Sequence, residues 1–521
     1  MISAKSPRRF IALLLILVLS AGLYIGIAAL RPAYYVDEYL TYTLSNGRVF
    51  GQVDFLSPYE DVDAFYTGVL GVTPEEAFHF EKPIENARQD AHPPLYYMLV
   101  HGLCSLVSPE FSIHIAEGVN LVFFLVSILL CYLILKEILP PQSQPWILFL
   151  TLITAFSPGV LNIAVFMRMY LMGMTMCLLL TYCQIKWLKS PSIGYGVSLS
   201  IVSLTGALTH YYFIFFCFFS WLFCLLYMLK EKYSWKNVLV YFLWPCLAGG
   251  LMLAVWPVVI NHVLYRSGVG GESIWSFSHF GAQLSYYYDR LNQNLFGYAL
   301  PVLAAVLLTI FIFIRKKADI PDTDDAHFRL SLVLATFLLP TLLYFLLVAK
   351  ISTFYLDERY MALIYPLFLL SVLLLLWRLA SIKKSVLLRG LAVASCVAFT
   401  ASAWVSCNWF YSFRSWNAPI HDINNSGLSD AIVVLKDDEV WKVWTLYPKH
   451  QQMDSVTYVP ANQLEDARDV LEDKLDHCYL AISRSLDAAD ILSALYESPP
   501  EVDELHPGEK GYFADYLVMQ P

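Results

Sequence analysis

The sequence FIALLLILVLSAGLYIGIAALRPAYYVDEY, residues 10–39, sets the class of fold. Its first 21 residues carry no charge, and a helix of about 20 apolar residues crosses the hydrocarbon core of a bilayer. The run is longer than the apolar core of a secretory signal, which has about 7–15 residues. It therefore predicts an uncleaved membrane anchor, followed closely by two adjacent carboxylates, Asp37 and Glu38.

Similar apolar runs recur through the first 410 residues. Of all 521 residues, 58% are hydrophobic and 15% are charged, whereas a soluble globular chain is near a quarter charged. This composition excludes a single soluble domain and an intrinsically disordered chain. We predict a polytopic α-helical membrane protein with about 11 transmembrane helices. The predicted spans are Phe10–Leu30, Ile115–Leu135, Trp146–Met167, Met169–Ile185, Ile193–Leu208, Tyr211–Leu229, Val238–Ile260, Phe296–Ile314, Leu330–Ala349, Tyr360–Trp377 and Gly390–Phe410.

The lysines and arginines between these runs indicate how the chain crosses the membrane. The N-terminal segment and the loops on its side carry 17 basic residues, and the short loops on the other side carry five. Because cytoplasmic loops are enriched in Lys and Arg, we predict a cytosolic N-terminus and a multi-pass protein of the bacterial cytoplasmic (inner) membrane. The 14-residue segment Pro94–Val107 would break this alternation if it were a span, so it predicts an interfacial helix.

Two segments lie outside the predicted spans. Residues 31–109 form the first extracytoplasmic loop with interfacial helices, and we group them with the spans as a transmembrane catalytic domain, residues 1–410. Residues 408–521 hold 20 acidic and 8 basic side chains, a net charge of −12. This composition indicates a separate extracytoplasmic domain, residues 411–521, whose alternating β-like and helix-like runs predict a small α/β fold. Such acidity excludes nucleic acid as a partner, because nucleic acid binds basic surfaces.

Ionisable residues near the spans fall at the predicted outer face. Asp37 and Glu38 are adjacent at a predicted helix start and point about 100° apart, so one can face a reacting hydroxyl while the other orients it. The alternative is a solvated helix start, where the helix dipole stabilises acidic residues. The other residues at this face are Asp90, His92, Arg168, His210, Tyr211, Asp357, Glu358 and Arg359.

Several of these residues suit an anionic ligand. The motif His92-Pro93-Pro94-Leu95-Tyr96-Tyr97 fixes a helix start with two prolines. Its histidine either binds a phosphate or substrate hydroxyl, or only caps the helix. Arg168 and Arg359 carry the planar guanidinium that binds phosphate with two hydrogen bonds, or they extend to lipid head groups. His210 belongs either to such a site or to the interfacial belt.

In their order along the chain, these motifs resemble those of the GT-C superfamily of polytopic glycosyltransferases. The nearest resemblance is to bacterial family 39-like enzymes, relatives of protein O-mannosyltransferases and of the lipid A aminoarabinose transferase. It covers about residues 1–410, and the tail has no counterpart in it. The matching pieces are Val36-Asp37-Glu38-Tyr39, His92-Pro93-Pro94-Leu95-Tyr96-Tyr97, Ser157-Pro158, Arg168-Met169-Tyr170, Thr209-His210-Tyr211-Tyr212 and Glu358-Arg359-Tyr360.

The resemblance implies that a sugar is taken from a polyprenyl-phosphate carrier at the outer face, with inversion at the anomeric carbon. It implies that Asp37 is the base on the acceptor hydroxyl and that Glu38 assists it. It also implies a set of residues that bind the carrier phosphate and the substrate. These are His92, Arg168, Tyr170, His210, Glu358, Arg359 and Tyr360.

Two positions depart from the pattern of this family. Relatives often carry Glu two residues before the arginine of the Arg-x-Tyr motif, where this chain has Phe166. They often carry Arg after the His-Pro-Pro helix, where this chain has His114. Because both positions bear on the substrate, the identity of the sugar is not carried over.

We therefore predict a membrane glycosyltransferase that moves a sugar from a polyprenyl-phosphate donor to a cell-envelope glycan, lipid or protein. The alternatives are a transporter or flippase of a lipid-linked sugar and a non-catalytic envelope scaffold. A transporter would be expected to show repeat symmetry or broken helices in matching halves. The sequence predicts no certain cofactor, and Asp37, Glu38 and His92 are the candidate ligands of a divalent cation. The expected partners are the lipid-linked donor, the acceptor and membrane lipid.

Overall fold

The computed structural model describes residues 7–31, 34–47, 53–263, 279–306, 308, 330–352, 356–381, 385–409, 419–507 and 511–519. The chain divides into two compact units. The first, here the helical unit, comprises Met1–Ala29, Ala91–Tyr96 and Glu117–Phe410. The second, here the sheet unit, comprises Leu30–Asp90, Tyr97–Ala116 and Tyr411–Pro521. The first outer loop and the C-terminal segment therefore belong to the same compact unit.

Long apolar helices dominate the helical unit. Among the described residues, seven helices are long and apolar enough to cross a membrane. They confirm the prediction of a polytopic α-helical membrane protein. The seven helices are Pro7–Ala29, His114–Ile138, Tyr170–Lys189, Tyr211–Lys230, Trp235–Val255, Ser331–Ile351 and Val386–Ser406.

The remaining predicted spans take other forms. Trp146–Met167 becomes a pair of helices bent by 54°, Pro141–Ala155 and Pro158–Ala164. Proline at the first position of the second helix explains the break, since it forces the preceding residue into an extended conformation. Ile193–Thr209 and Tyr365–Ser381 are apolar helices of 17 residues each. The predicted span Phe296–Ile314 is described at residues 296–306 and 308, and residues 300–306 of it are helical.

The outward surface of these helices is apolar. Large hydrophobic side chains are exposed on Pro7–Ala29, Trp235–Val255 and Val386–Ser406, with Val18 at 58% and Val405 at 90%. Contiguous apolar surface of this extent is unfavourable in water and is stabilised by contact with lipid chains. The exposure pattern thus agrees with helix length in defining a multi-pass membrane protein.

Shorter elements complete the fold. The predicted interfacial segment forms the helix Leu95–Cys104. The other short helices are Val36–Ser45, Val62–Leu70, Glu81–Gln89, Phe280–Phe296, Arg359–Ala362, Ile420–Asn425, Tyr447–His450, Leu464–Leu475 and Ala488–Leu495, with a 3₁₀ helix at Asp437–Leu446.

The sheet unit is built on five strands, which confirms the small C-terminal α/β fold. The strands are β1 (Pro58–Tyr59), β2 (Asp430–Leu435), β3 (Ser455–Pro460), β4 (His477–Ser483) and β5 (Phe513–Met519), in the order β1-β3-β2-β4-β5. Strand β2 runs parallel to β3 and β4, and the edge strands β1 and β5 are antiparallel. The central strands are buried along almost their whole length, as expected for a parallel sheet covered on both faces.

Residues from distant parts of the chain meet in the sheet unit. In β1, Pro58 of the first outer loop pairs with Thr457 of β3. The buried Tyr66 hydroxyl lies 2.8 Å from Nδ1 of His450 and 3.3 Å from the Tyr458 hydroxyl. Burial, helped by the charge of the adjacent lysine, lowers the pKa of His450 to about 3, so this imidazole is neutral at physiological pH. A neutral polar network therefore joins the loop to the C-terminal segment.

Candidate functional site

The helical unit brings together four of the basic residues singled out in the sequence. The rings of His92 and His210 have their centroids 6.2 Å apart, and the charges of Arg168 and Arg359 both act on His210. The Arg168 side chain is almost fully buried. We call His92, Arg168, His210 and Arg359 the basic cluster. Its charge suits an anion, because buried guanidinium groups bind phosphate or carboxylate oxygens through strong hydrogen bonds.

A buried asparagine fixes the turn that carries Arg168. Nδ2 of Asn120 donates to the carbonyl oxygens of Ala164 and Phe166, at 3.0 and 2.6 Å. The Tyr96 hydroxyl, from the His-Pro-Pro motif, donates to Oδ1 of Asn120 at 3.0 Å. These bonds satisfy carbonyl groups that the end of a helix leaves without intrahelical donors. The position of Arg168 is thus determined by a network and not by the turn alone.

His210 has a defined tautomer. Its Nδ1 accepts the backbone N–H of Tyr212 at 3.1 Å, which caps the helix that follows. Burial, together with the charges of His92, Arg168 and Arg359, lowers the pKa of His210 well below its ordinary value. A neutral ring that accepts at Nδ1 carries its proton on Nε2. Nε2 is buried and has no hydrogen-bond partner among the described residues, so His210 presents an N–H donor to a ligand.

Tyrosine rings enclose the basic cluster. The rings of Tyr170 and His210 are 5.0 Å apart, and those of Tyr212 and Tyr360 are also 5.0 Å apart. The guanidinium carbon of Arg359 lies 5.8 Å from the centroid of the Tyr170 ring and 5.5 Å from that of Tyr360. Cation–π contact of this kind holds a guanidinium in place and limits its solvation. The predicted residues Tyr170 and Tyr360 therefore shape the cluster.

Glu358 is held by two amides. It is 4% exposed, and its carboxyl oxygens accept hydrogen bonds from Nδ2 of Asn162 at 3.2 Å and of Asn294 at 2.6 Å. Burial, together with the charge of Asp357, raises the pKa of Glu358 to about 8. Asp357, in turn, lies 3.2 Å from Nε of Arg359. Since both of its carboxyl oxygens are bound within the protein, Glu358 anchors the segment that carries Arg359.

Asp37 and Glu38 belong to the sheet unit, in the first turn of the helix Val36–Ser45. Glu38 is fully buried, and its Oε2 accepts hydrogen bonds from Arg31 at 2.5 Å and from the backbone N–H of Tyr35 at 2.6 Å. This is a capping box, which satisfies a backbone donor at the helix start. Asp37 is only half-buried and points about 100° away around the helix. Glu38 therefore fixes the helix start, and Asp37 is the carboxylate that remains the predicted base.

The sequence predicts Asp37, Glu38 and His92 as candidate ligands of a divalent cation. Among the described residues, no group of three or more His, Cys, Asp or Glu side chains could hold a metal ion. Of the three ligands expected from the sequence, Glu38 is already bound through Oε2 to Arg31 and Tyr35. Binding of a divalent cation by Asp37, Glu38 and His92 stays a prediction.

Four residues that position the predicted site residues were not predicted from the sequence. Asn120 lies inside an apolar run, and a lone amide at such depth is itself a functional signal, because it is costly to bury without partners. Arg31 is the first charge after the anchor, but its pairing with Glu38 depends on the loop conformation between them. Asn162 and Asn294 come from segments far apart in the chain, and no local pattern relates them to Glu358.

The chain is similar to several solved structures. No family model matches the chain, and no curated protein matches it. One similar structure is the oligosaccharyltransferase AglB from Archaeoglobus fulgidus, in complex with an inhibitory peptide and a dolichol-phosphate. Its TM-score is 0.44 at 10% identity, over 92% of this chain and 70% of that one.

A second similar structure is ArnT from Cupriavidus metallidurans, bound to undecaprenyl phosphate. Its TM-score is 0.44 at 10% identity, over 95% of this chain and 97% of that one. The apo state of the same protein gives a TM-score of 0.44 at 9% identity.

Proposed function

We propose that the protein is an inverting glycosyltransferase that moves a sugar from a polyprenyl-phosphate donor to a cell-envelope acceptor. The observation that carries this proposal is the basic cluster of the helical unit. Its donors are buried among apolar helices, where a phosphate joined to a long hydrocarbon chain can reach them from the membrane. A water-soluble nucleotide sugar does not require phosphate-binding groups that are buried among apolar helices.

The basic cluster supplies what a leaving phosphate requires. When the bond between the anomeric carbon and the phosphate oxygen breaks, negative charge develops on that oxygen. Arg168, Arg359 and the Nε2–H of His210 are fixed donors, and preorganised donors directed at developing charge can contribute the largest part of catalysis. The neutral His210 donates a hydrogen bond without becoming a competing acid, because its pKa is far below physiological pH.

Asp37 is proposed as the general base. The acceptor hydroxyl attacks the anomeric carbon from the face opposite the phosphate, and its proton moves to the Asp37 carboxylate. A new carbon–oxygen bond forms as the old one breaks, and polyprenyl phosphate leaves with the bonding electron pair. Glu38 acts through position, since it holds the helix start next to Asp37 and its Oε2 is already bound to Arg31.

The proposal places the reaction at the outer face of the bacterial cytoplasmic membrane. The bias of Lys and Arg puts the loop that carries Asp37 on that side. The partners are then the lipid-linked donor, an envelope glycan, lipid or protein as acceptor, and the surrounding membrane lipid. The chain needs no nucleotide for this reaction.

The test is transfer from a panel of radiolabelled polyprenyl-phosphate sugars by the full-length protein in nanodiscs, with envelope extract as acceptor. We expect the wild-type protein to transfer one of these sugars and Asp37→Asn to lose the activity, because an amide cannot accept the proton. The matched control is Asp63→Asn, the same change at an exposed acidic residue in the first turn of the helix Val62–Leu70.

Two results would overturn the proposal. One is full transfer by Asp37→Asn, which would remove the base. The other is binding of a lipid-linked sugar by the wild-type protein with no turnover across the panel, which would favour transport or scaffolding.

A further inference from the structure

A cavity of about 280 Å³ lies within the sheet unit. Tyr34 and Tyr39, from the first outer loop, form one side of it. Phe111 forms another part of the wall, and Tyr447 and Gln451 come from the C-terminal segment. We call this space the aromatic cavity. It is close to the ~300 Å³ lower limit of ligand-binding pockets, a size that admits a small ring and not a lipid chain.

Tyr447 is the centre of the aromatic wall. Its ring meets those of Tyr39 at 6.4 Å, Phe111 at 5.7 Å and Tyr66 at 5.1 Å, all in edge-to-face contact. Tyr34 meets Tyr39 in the same way at 6.2 Å. Because each ring is packed by others, the wall is rigid, and a ligand that binds it loses little of its affinity to ordering of side chains.

The polar groups at the cavity favour hydroxyl groups over strong charge. The Tyr39 hydroxyl is buried and has no hydrogen-bond partner among the described residues. Arg31 lies beside it, but its charge is compensated by Glu38 at 2.5 Å, and its guanidinium stacks over the Tyr34 ring at 4.9 Å. A ligand with hydroxyl groups satisfies the Tyr39 hydroxyl without competing for this ion pair.

We infer that the aromatic cavity binds a sugar ring of the acceptor, so that the acceptor of this enzyme is a glycan. A sugar ring combines an apolar C–H face, which packs on an aromatic wall, with hydroxyl groups that pair with polar atoms at its edge. Tyr39 lies two residues after Asp37 in the same helix, about 200° around it, so a ring bound there is held by the helix that carries the proposed base, but on another face of that helix. The inference rests on the proposed function, since it assigns the acceptor of that reaction.

In this inference, the C-terminal segment takes part in binding the acceptor. Tyr447 and Gln451 line the cavity from the C-terminal segment. Differences in acceptor would then be expected to arise from this segment, while donor binding depends on the helical unit.

The test measures the binding of a panel of methyl glycosides to the full-length protein in nanodiscs, in the absence of donor. Binding is detected by saturation-transfer NMR. We expect one or more glycosides to bind, and Tyr447→Ala to raise the dissociation constant about tenfold, the effect of losing one aromatic contact. Tyr39→Phe, which removes only the hydroxyl, and Gln451→Ala should each weaken binding without disturbing the wall. Gln452→Ala is the matched control, because Gln452 is exposed and is not part of the cavity wall; it should bind like the wild-type protein.

Three results would overturn the inference: no glycoside in the panel binds, all the variants bind like Gln452→Ala, or envelope peptides bind in place of glycosides and respond to Tyr447→Ala. Failure here is distinguishable from failure of the proposed function, because binding is measured without donor or turnover. If transfer depends on Asp37 but no glycoside binds, only the assignment of the acceptor fails. If Asp37→Asn retains transfer, the proposed function fails whatever the glycosides do.

Discussion

At the scale of single residues, His210 carries the most specific chemistry in the helical unit. Its Nδ1 is used by the backbone of the following helix, which leaves the proton on Nε2. This arrangement gives a neutral donor between two arginines, where a protonated imidazole would repel both. His210 therefore supplies a directed hydrogen-bond donor to an anion site, and the neighbouring arginines supply the positive charge.

Substitutions of His210 should show whether it acts on the lipid donor through a hydrogen bond or through a positive charge. We expect His210→Ala to lower kcat/KM for the lipid donor about tenfold to a hundredfold, the effect of losing a hydrogen bond to a charged group. His210→Gln should recover part of this loss, because its amide also donates. Since the histidine is neutral in the wild-type protein, His210→Gln should not alter the pH profile between about pH 6 and pH 8. If the pH profile of His210→Gln gained or lost an ionisation between about pH 6 and pH 8, the assigned neutral tautomer of His210 would be contradicted.

Glu358 predicts a pH-dependent stability. Its pKa of about 8 in the folded protein exceeds the ordinary value of 4.5, so between these values the folded state binds more protons than the unfolded state. The stabilisation is fully present below about pH 4.5 and is lost as the pH rises through about 8. We expect the wild-type protein to lose thermal stability relative to Glu358→Gln between about pH 4.5 and pH 8, measured by scanning fluorimetry in nanodiscs. Parallel curves for the two proteins would show that Glu358 is already ionised at the lower pH.

At the scale of elements, turns and helix starts place the chemistry. Arg168 lies in a turn that Asn120 holds from a neighbouring helix. Asp37 lies at a helix start that Glu38 and Arg31 close. In both cases a buried polar contact outside the reacting groups sets the position of a predicted functional side chain.

Asn120→Ala should disturb the turn without touching the ligand. We expect a loss of about 1–3 kcal/mol of stability, because two buried carbonyl groups lose their donor, together with a raised KM for the lipid donor. The matched control is Ser127→Ala on the same helix, which removes a buried hydrogen bond to Thr175 at 2.8 Å. The control should cost stability but leave KM unchanged. Equal KM values in both variants would mean that Asn120 only stabilises the fold.

Helices and strands could be predicted from the sequence where a local pattern of apolar residues defines them. The apolar runs predicted the long helices, and the β-like runs Ala431–Leu435, Ser455–Val459 and Cys478–Ile482 correspond closely to β2, β3 and β4. The two edge strands were not predicted. β1 has only two residues. Each edge strand is a strand because it pairs with a neighbour, and its amino-acid composition alone does not indicate one.

The site was predictable only in part, for a related reason. Arginines and histidines at the ends of apolar runs are visible in the sequence because charge is rare there. What was not visible is how they are held. The amides that bind Glu358 come from residues 162 and 294, and the pairing of Arg31 with Glu38 depends on loop geometry. Contacts of this kind follow from the tertiary fold and leave no periodic signal.

At the scale of the whole molecule, the first outer loop and the C-terminal segment form one folded unit. Strand β1 of the loop has its partner in β3, and Tyr66 of the loop has its partners in His450 and Tyr458. The loop that carries Asp37 is therefore stabilised by a segment about 400 residues further along the chain.

Deleting residues 411–521 should affect more than acceptor binding. We expect the truncated protein to lose transfer, and the loop over residues 53–90 to become sensitive to limited proteolysis, because its sheet partner and the partners of Tyr66 are gone. Tyr66→Phe in the full-length chain is the milder comparison. It removes one hydroxyl from the network and should leave the loop resistant. A truncated protein whose loop resists protease as the wild-type protein does would show that the loop folds independently.

The pairing of β1 with β3 also has a consequence for biosynthesis. Ribosomes deliver a chain from its N-terminus, and domains generally fold as units during synthesis. Here residue 58 is synthesised early and its strand partner at residue 457 about 400 residues later, so this pair of strands cannot form until the apolar helices between them have been made. A chain released early by a premature stop codon would have most of its apolar helices but an unfinished sheet. Pairing of β1 with β3 is thus a late step of synthesis that depends on the intervening helices having been made.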